Sequence, residues 1–178
     1  MLPRRPSALL VSLPLCLVLL PLAGLSSCAP TSLPGTALGT FKVTGTSTTN
    51  TCGIGAPNPW TFDVQLSKDG STLYWSWMDG SPPSSGTLTG SSDSQATITD
   101  STTGNVDGTD ASLGPCTLQR DDDMAITLAS TSFTGTLSYS FTVASGSDCD
   151  DQLVSSGAGG QYETLPCTVS YTLTGSQQ

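Results

Sequence analysis

The residues in this chain best suited to chemistry are aromatic. In Leu73-Tyr74-Trp75-Ser76-Trp77, the two-residue period of a strand puts Trp75 and Trp77 on one face with Leu73, and Tyr74 on the other. An exposed indole pair could stack on sugar rings. Facing inward, the same pair is either packed core or, with Tyr139 and Phe141, the wall of a cavity for an apolar ligand. Tyr74, Trp75, Trp77, Tyr139 and Phe141 are therefore the candidate ligand-binding residues. The sugar reading requires two coplanar, exposed rings, and the cavity reading requires a hollow interior. Trp60 sits beside Pro57 and Pro59 at a strand entrance and is expected to plug one end of the fold rather than to bind.

The acidic groups offer less. Asp121-Asp122-Asp123 reads as a turn between two short strands, and Asp148, Asp150 and Asp151 surround Cys149. Asn105-x-Asp107-Gly108-x-Asp110 has part of the rhythm of a calcium loop but no terminal glutamate. Solvated turns account for all three, so no metal site is expected. Asp107 and Asp110 are where a cation would be sought. Histidine is absent from the chain, which removes triads, histidine bases and histidine-bearing metal centres; no Gly-x-Ser-x-Gly elbow or phosphate-cradling loop appears either. Two carboxylates could cleave a glycoside. Asp63 and Asp79 lie near the aromatic strands and Glu163 is the single glutamate, but most acids fall in turns where nothing would raise a general acid's pKa. The expectation is a non-enzyme without a cofactor. With 14 acidic against 5 basic residues and a net charge of −9, the chain repels nucleic acid, whose binding needs clustered Lys and Arg.

The elements that must position these groups are strands. Phe41 and Val43 alternate with polar neighbours, as do Trp60, Phe62, Val64 and Leu66; after the turn Lys68-Asp69-Gly70 come Leu73, Trp75 and Trp77. Shorter runs follow at Gly86 to Gly90 and Gln95 to Thr99, then a polar stretch through Gly114, then Cys116-Thr117-Leu118. Met124, Ile126 and Leu128 alternate, then Leu137, Tyr139, Phe141 and Val143, and finally Cys167, Val169, Tyr171 and Leu173. No segment carries a helical period. The pattern predicts an all-β domain over residues 39–178: a single antiparallel meander of about 8–10 strands, a closed or partly closed β-barrel, with a two-sheet β-sandwich as the alternative. In strand count and size this body is similar to small lipocalin-like or calycin barrels. It departs from their Gly-x-Trp signature, carrying Gly39-Thr40-Phe41 where the Trp would stand. The resemblance implies a barrel able to hold a small apolar molecule.

The start of the chain has a different character. Arg4-Arg5 leads into an apolar run from Ala8 to about Leu25, interrupted by Pro14 and Pro21 and closed by Leu25-Ser26-Ser27-Cys28. This resembles a bacterial lipoprotein signal peptide ending in a lipobox. The resemblance implies cleavage of residues 1–27, lipidation of Cys28 with diacylglyceryl and palmitate chains, a flexible tether over 28–38, and a lipid-anchored place in the cell envelope. Ala29 in place of an aspartate points to the outer membrane in a Gram-negative cell. Of the 6 cysteines, Cys16 leaves with the leader and Cys28 is consumed by the lipid. Cys52, Cys116, Cys149 and Cys167 remain as a disulfide set with three possible pairings. Proximity favours Cys149 with Cys167, leaving Cys52 for Cys116. Together these features predict a membrane-anchored exported lipoprotein acting as a non-enzymatic structural or interaction module. A lipocalin-like binder of a small apolar ligand and a carbohydrate-binding module are the alternatives.

Overall fold

The structure is a computed structural model that describes residues 32–106 and 116–178. Residues 1–27, expected to form a leader, and Cys28, Asp107 and Asp110 lie outside the described residues. Eight strands run β1 (Thr36–Asn50), β2 (Trp60–Asp69), β3 (Thr72–Trp77), β4 (Ser84–Thr89), β5 (Gln95–Val106), β6 (Cys116–Leu128), β7 (Ser132–Val143) and β8 (Cys167–Gln177). Each pairs antiparallel with the next, and β8 returns to β1, so the meander closes into a barrel. The sandwich alternative is thereby set aside. Closure pairs Phe41 with Gln177 and continues to Asn50 opposite Val169, with a bulge between Ser47 and Thr49, so that among the described residues each of the eight strands has a neighbour on both sides.

Alternation decides which side of each strand faces in. Phe41, Val43, Val64, Leu66, Leu73, Trp75, Leu88, Ile98, Met124, Ile126, Phe133, Leu137, Val169 and Leu173 are buried together in one core. Lys42, Thr97, Thr99, Thr172 and Thr174 between them are exposed. The apolar face is thus inside, the reverse of a barrel whose outer surface meets lipid. Strands also approach closely where glycine faces in: a Cβ at Gly86 would run into the Thr97 carbonyl, and one at Gly135 into that of Ala125.

Three expectations need correcting. β6 is one unbroken strand of 13 residues, with Asp121-Asp122-Asp123 in its middle rather than in a turn. Strand pairing continues through the acids, Asp122 lying opposite Asp100 on one side and Tyr139 on the other. β5 likewise extends to Val106, past the polar residues at which the alternating run stops. β1 begins at Thr36, inside the expected tether. Thr36 already pairs with Lys68, and the Ser67 hydroxyl donates to the Pro34 carbonyl at 2.7 Å.

The disulfides are the fourth correction. Cys52 joins Cys167 and Cys116 joins Cys149, not Cys149 with Cys167. Proximity in sequence loses to the barrel seam, because pairing of β1 with β8 sets Cys52, just past the end of β1, beside Cys167 at the start of β8. A backbone bond from Thr51 N–H to the Thr168 carbonyl at 2.9 Å holds the same join.

The two ends of the barrel differ. At one end, tight connections follow Asp69, Thr89 and Leu128; Gly70 turns the first of these with φ 57°. At the other end lie the longer connections 51–59, 78–83 and 144–166, the last containing single 3-10 turns at Asp150–Gln152 and Val154–Ser156. Both disulfides sit at this end.

Candidate binding bay at the long-loop end

Trp60 opens β2, immediately after the 51–59 loop, and its inward parity with Phe62 and Val64 aims it across the barrel mouth. It lies 4.3 Å from Phe62, 5.7 Å from Trp77 with planes 21° apart, 5.3 Å from Tyr171 and 6.5 Å from Tyr139, measured between ring centroids. These rings come from four strands, β2, β3, β7 and β8, brought together only by closure.

Polar groups enter from β5 and β6. On the inner face of β6, Arg120 and Asp122 occupy the positions between Leu118 and Met124. The guanidinium grips the Asp122 carboxylate with two bonds, Nε to Oδ1 at 2.7 Å and Nη2 to Oδ2 at 2.8 Å, the bidentate geometry that makes Arg–carboxylate pairs strong. The same guanidinium carbon stands 5.2 Å from the centre of the Tyr139 ring, within cation–π range. On β5, Asp100 accepts from the Ser84 hydroxyl at 3.3 Å and from the Ser101 N–H at 2.9 Å.

Two of the open cavities at this end share Trp60, Arg120 and Tyr139. One, of about 310 Å³, is apolar, lined also by Ile54, Ala56, Pro57, Phe141, Val169 and Tyr171. The other, of about 380 Å³, is more polar, lined also by Trp77, Asp79, Ser81, Ser84, Asp100, Thr102 and Asp122. The result is one bay with an apolar lobe and an acidic lobe, meeting at a tryptophan, a tyrosine and an ion pair.

The electrostatics follow the burial. Desolvation pushes the Asp122 carboxyl above the ordinary carboxylate range, and Arg120 opposes that rise. Burial drives the Tyr139 phenol well above its ordinary value, and the nearby Asp122 charge adds to the effect, so Tyr139 stays a neutral donor. Asp79 is held low by the Ser81 N–H and hydroxyl, which makes it a poor general acid. Asp121, on the outer face, is held low by Ser101 and Gln119. Among the described residues, no group of three or more acidic or thiol side chains converges on a cation position.

Trp77, Tyr139 and Phe141 line the bay, and the other two candidates do not. Trp75 is fully buried in the core against Phe133 and Trp77, and its indole N–H finds no partner among the described residues. Tyr74 faces outward, opposite Ser67 and Ser85. The coplanar platform of the sugar reading does not form from Trp75 and Trp77, whose planes stand 70° apart. Of the remaining acids, Asp63 accepts from the Gln178 amide at 2.7 Å and Glu163 is exposed. Reading the sequence missed Trp60, Arg120, Asp100 and Asp122 as site residues. The signal was present in their parity: Arg120 and Asp122 continue the inward series of Leu118 and Met124. Set against protein-family models, curated proteins and solved structures, the chain matches none of them.

Proposed function

We propose that this protein is a lipid-anchored cell-envelope protein whose barrel holds a small amphipathic molecule at its long-loop end. The observation that carries this reading is the pair of cavities joined at Trp60, Arg120 and Tyr139. Their size falls in the range of small-ligand sites, and their mix of aromatic wall with few polar groups matches the usual composition of such sites. Two disulfides at the same end support a preorganised rim, which lowers the ordering cost of binding. The lipobox-like Leu25-Ser26-Ser27-Cys28 supports anchoring through Cys28, with disulfides that suit an oxidising compartment.

Tryptophan fluorescence with acrylamide tests the binding. Trp75 should resist the quencher, Trp60 and Trp77 should be quenched, and a bound fatty acid or oligosaccharide should shield those two. If no small amphipathic molecule, anionic, neutral or cationic, shields them, the bay is not a binding site. Cys28→Ser should abolish incorporation of labelled palmitate; labelling that persists would sink the anchor. A second reading, an interaction module, is favoured by Met78 and Val154, apolar side chains exposed by 58 and 55 % on loops at the same end. It predicts capture of a protein partner that Met78→Ser weakens.

A further inference from the structure

Charge bookkeeping in the bay separates ligand classes that its shape alone admits. Among the described residues the bay has one cation, Arg120, and Asp122 neutralises it through both carboxylate oxygens. Asp79 and Asp100 border the same polar lobe, and neither is ion-paired; the other ion pair among the described residues, Lys68 with Asp93, belongs to the opposite end. The lobe therefore keeps two carboxylates without a cationic partner beside the rings of Trp60 and Trp77, while the Tyr139 ring already faces the Arg120 guanidinium. Rings present negative faces to a cation. Asp79 and Asp100 are exposed at the rim of the lobe, so they attract a cation across a few ångströms of solvent with a strength that salt screens, whereas an anionic headgroup would meet repulsion from both.

We infer that the occupant is an organic ammonium, its cationic head in the acidic lobe between Asp79, Asp100 and the Trp60–Trp77 stack, and its apolar body in the lobe lined by Ile54, Phe141 and Val169. This rests on the bay being a binding site. An ammonium needs no protein counter-ion beyond the carboxylates already present, and the apolar lobe covers its hydrocarbon part.

Three benzyl compounds test the inference on the natively processed protein: benzyltrimethylammonium, its uncharged isostere neopentylbenzene, and the smaller anion phenylacetate. Calorimetry and shielding of Trp60 and Trp77 should show the cation binding at least about tenfold more tightly than either of the others, with an advantage that shrinks as salt is raised. Asp100→Asn and Asp79→Asn should each lower the cation's affinity severalfold while leaving the neutral isostere unchanged. Asp122→Asn releases Arg120 and should move the preference towards phenylacetate. Equal or tighter binding of the isostere or of phenylacetate overturns the inference and leaves the bay standing. So does silence of all three probes where a fatty acid or oligosaccharide still shields the indoles. If no molecule of either panel shields them, both readings fall.

Discussion

The two ends of the barrel are made from the same strands and are built differently. At the lower end short turns join the strands, and Phe41, Val64, Leu66, Leu73, Trp75 and Phe133 pack in one apolar core. At the upper, long-loop end the inner faces carry Trp60, Trp77, Asp100, Arg120, Asp122 and Tyr139, most of them half-buried. The disulfides stand at the upper end. A packed end is stabilised by the burial of apolar surface itself. The upper end keeps cavities and charges in place of that packing, so covalent links hold the rim instead. The difference teaches that a closed barrel can separate a packed core from an open, polar bay along its axis.

The largest effect should come from the rim. Replacing Cys52 and Cys167 by serine opens a link spanning 115 residues, for which chain entropy predicts a loss of about 5 kcal/mol; the link from Cys116 to Cys149 spans 33 and should cost about 4. Denaturant midpoints of the two double variants check the order. If both are silent, the rim is held by its loops and not by its crosslinks.

Next come the matched aromatic truncations. Phe133→Ala removes a ring that is 1 % exposed and packed on Phe41 and Trp75, and should cost about 4 kcal/mol with ligand shielding retained below the transition. Trp60→Ala should cost about 1–2 kcal/mol, its ring being only partly removed from water, yet abolish shielding of Trp77. Equal stability losses for the two would erase the proposed division of labour.

The smallest effect is expected in alkali. Burial raises the phenols of Tyr139, Tyr162 and Tyr171, with Asp122 contributing at Tyr139. A folded pKa above the unfolded value of about 10 means the folded state holds protons that the unfolded state releases. The stability these phenols confer is therefore complete below that pH and declines as pH rises through the folded values. Absorbance at 295 nm should show their ionisation arriving late and together with unfolding. Early ionisation of all 4 tyrosines in an intact barrel would mean the bay is open to water.

Much of the barrel was legible along the chain. Trp60-x-Phe62-x-Val64-x-Leu66 and Leu73-x-Trp75-x-Trp77 announced a hairpin because apolar residues at every second position can bury only one face of a strand. β6 was harder to read. Its acidic middle looks like a turn because a run of aspartates is normally solvated, and only the hydrogen-bond ladders with β5 and β7 keep it extended, with Arg120 of the same strand gripping Asp122. Trp60 was correctly placed at a barrel end, but its partners Tyr139 and Tyr171 lie on strands far along the chain, beyond the reach of any local pattern.

By itself the sequence determined the class of fold, the inward face of most strands, the lack of histidine chemistry and the acidic balance, since each follows from residue type and a period of two. Only the tertiary structure decided which cysteines meet, that Trp75 belongs to the core while Trp77 belongs to the bay, and that Arg120 stands over the Tyr139 ring in a bay shared with Trp60. Those outcomes depend on closure of β1 against β8 and on strand stagger, long-range pairings whose contacts bring together residues more than 100 positions apart, such as Cys52 and Cys167.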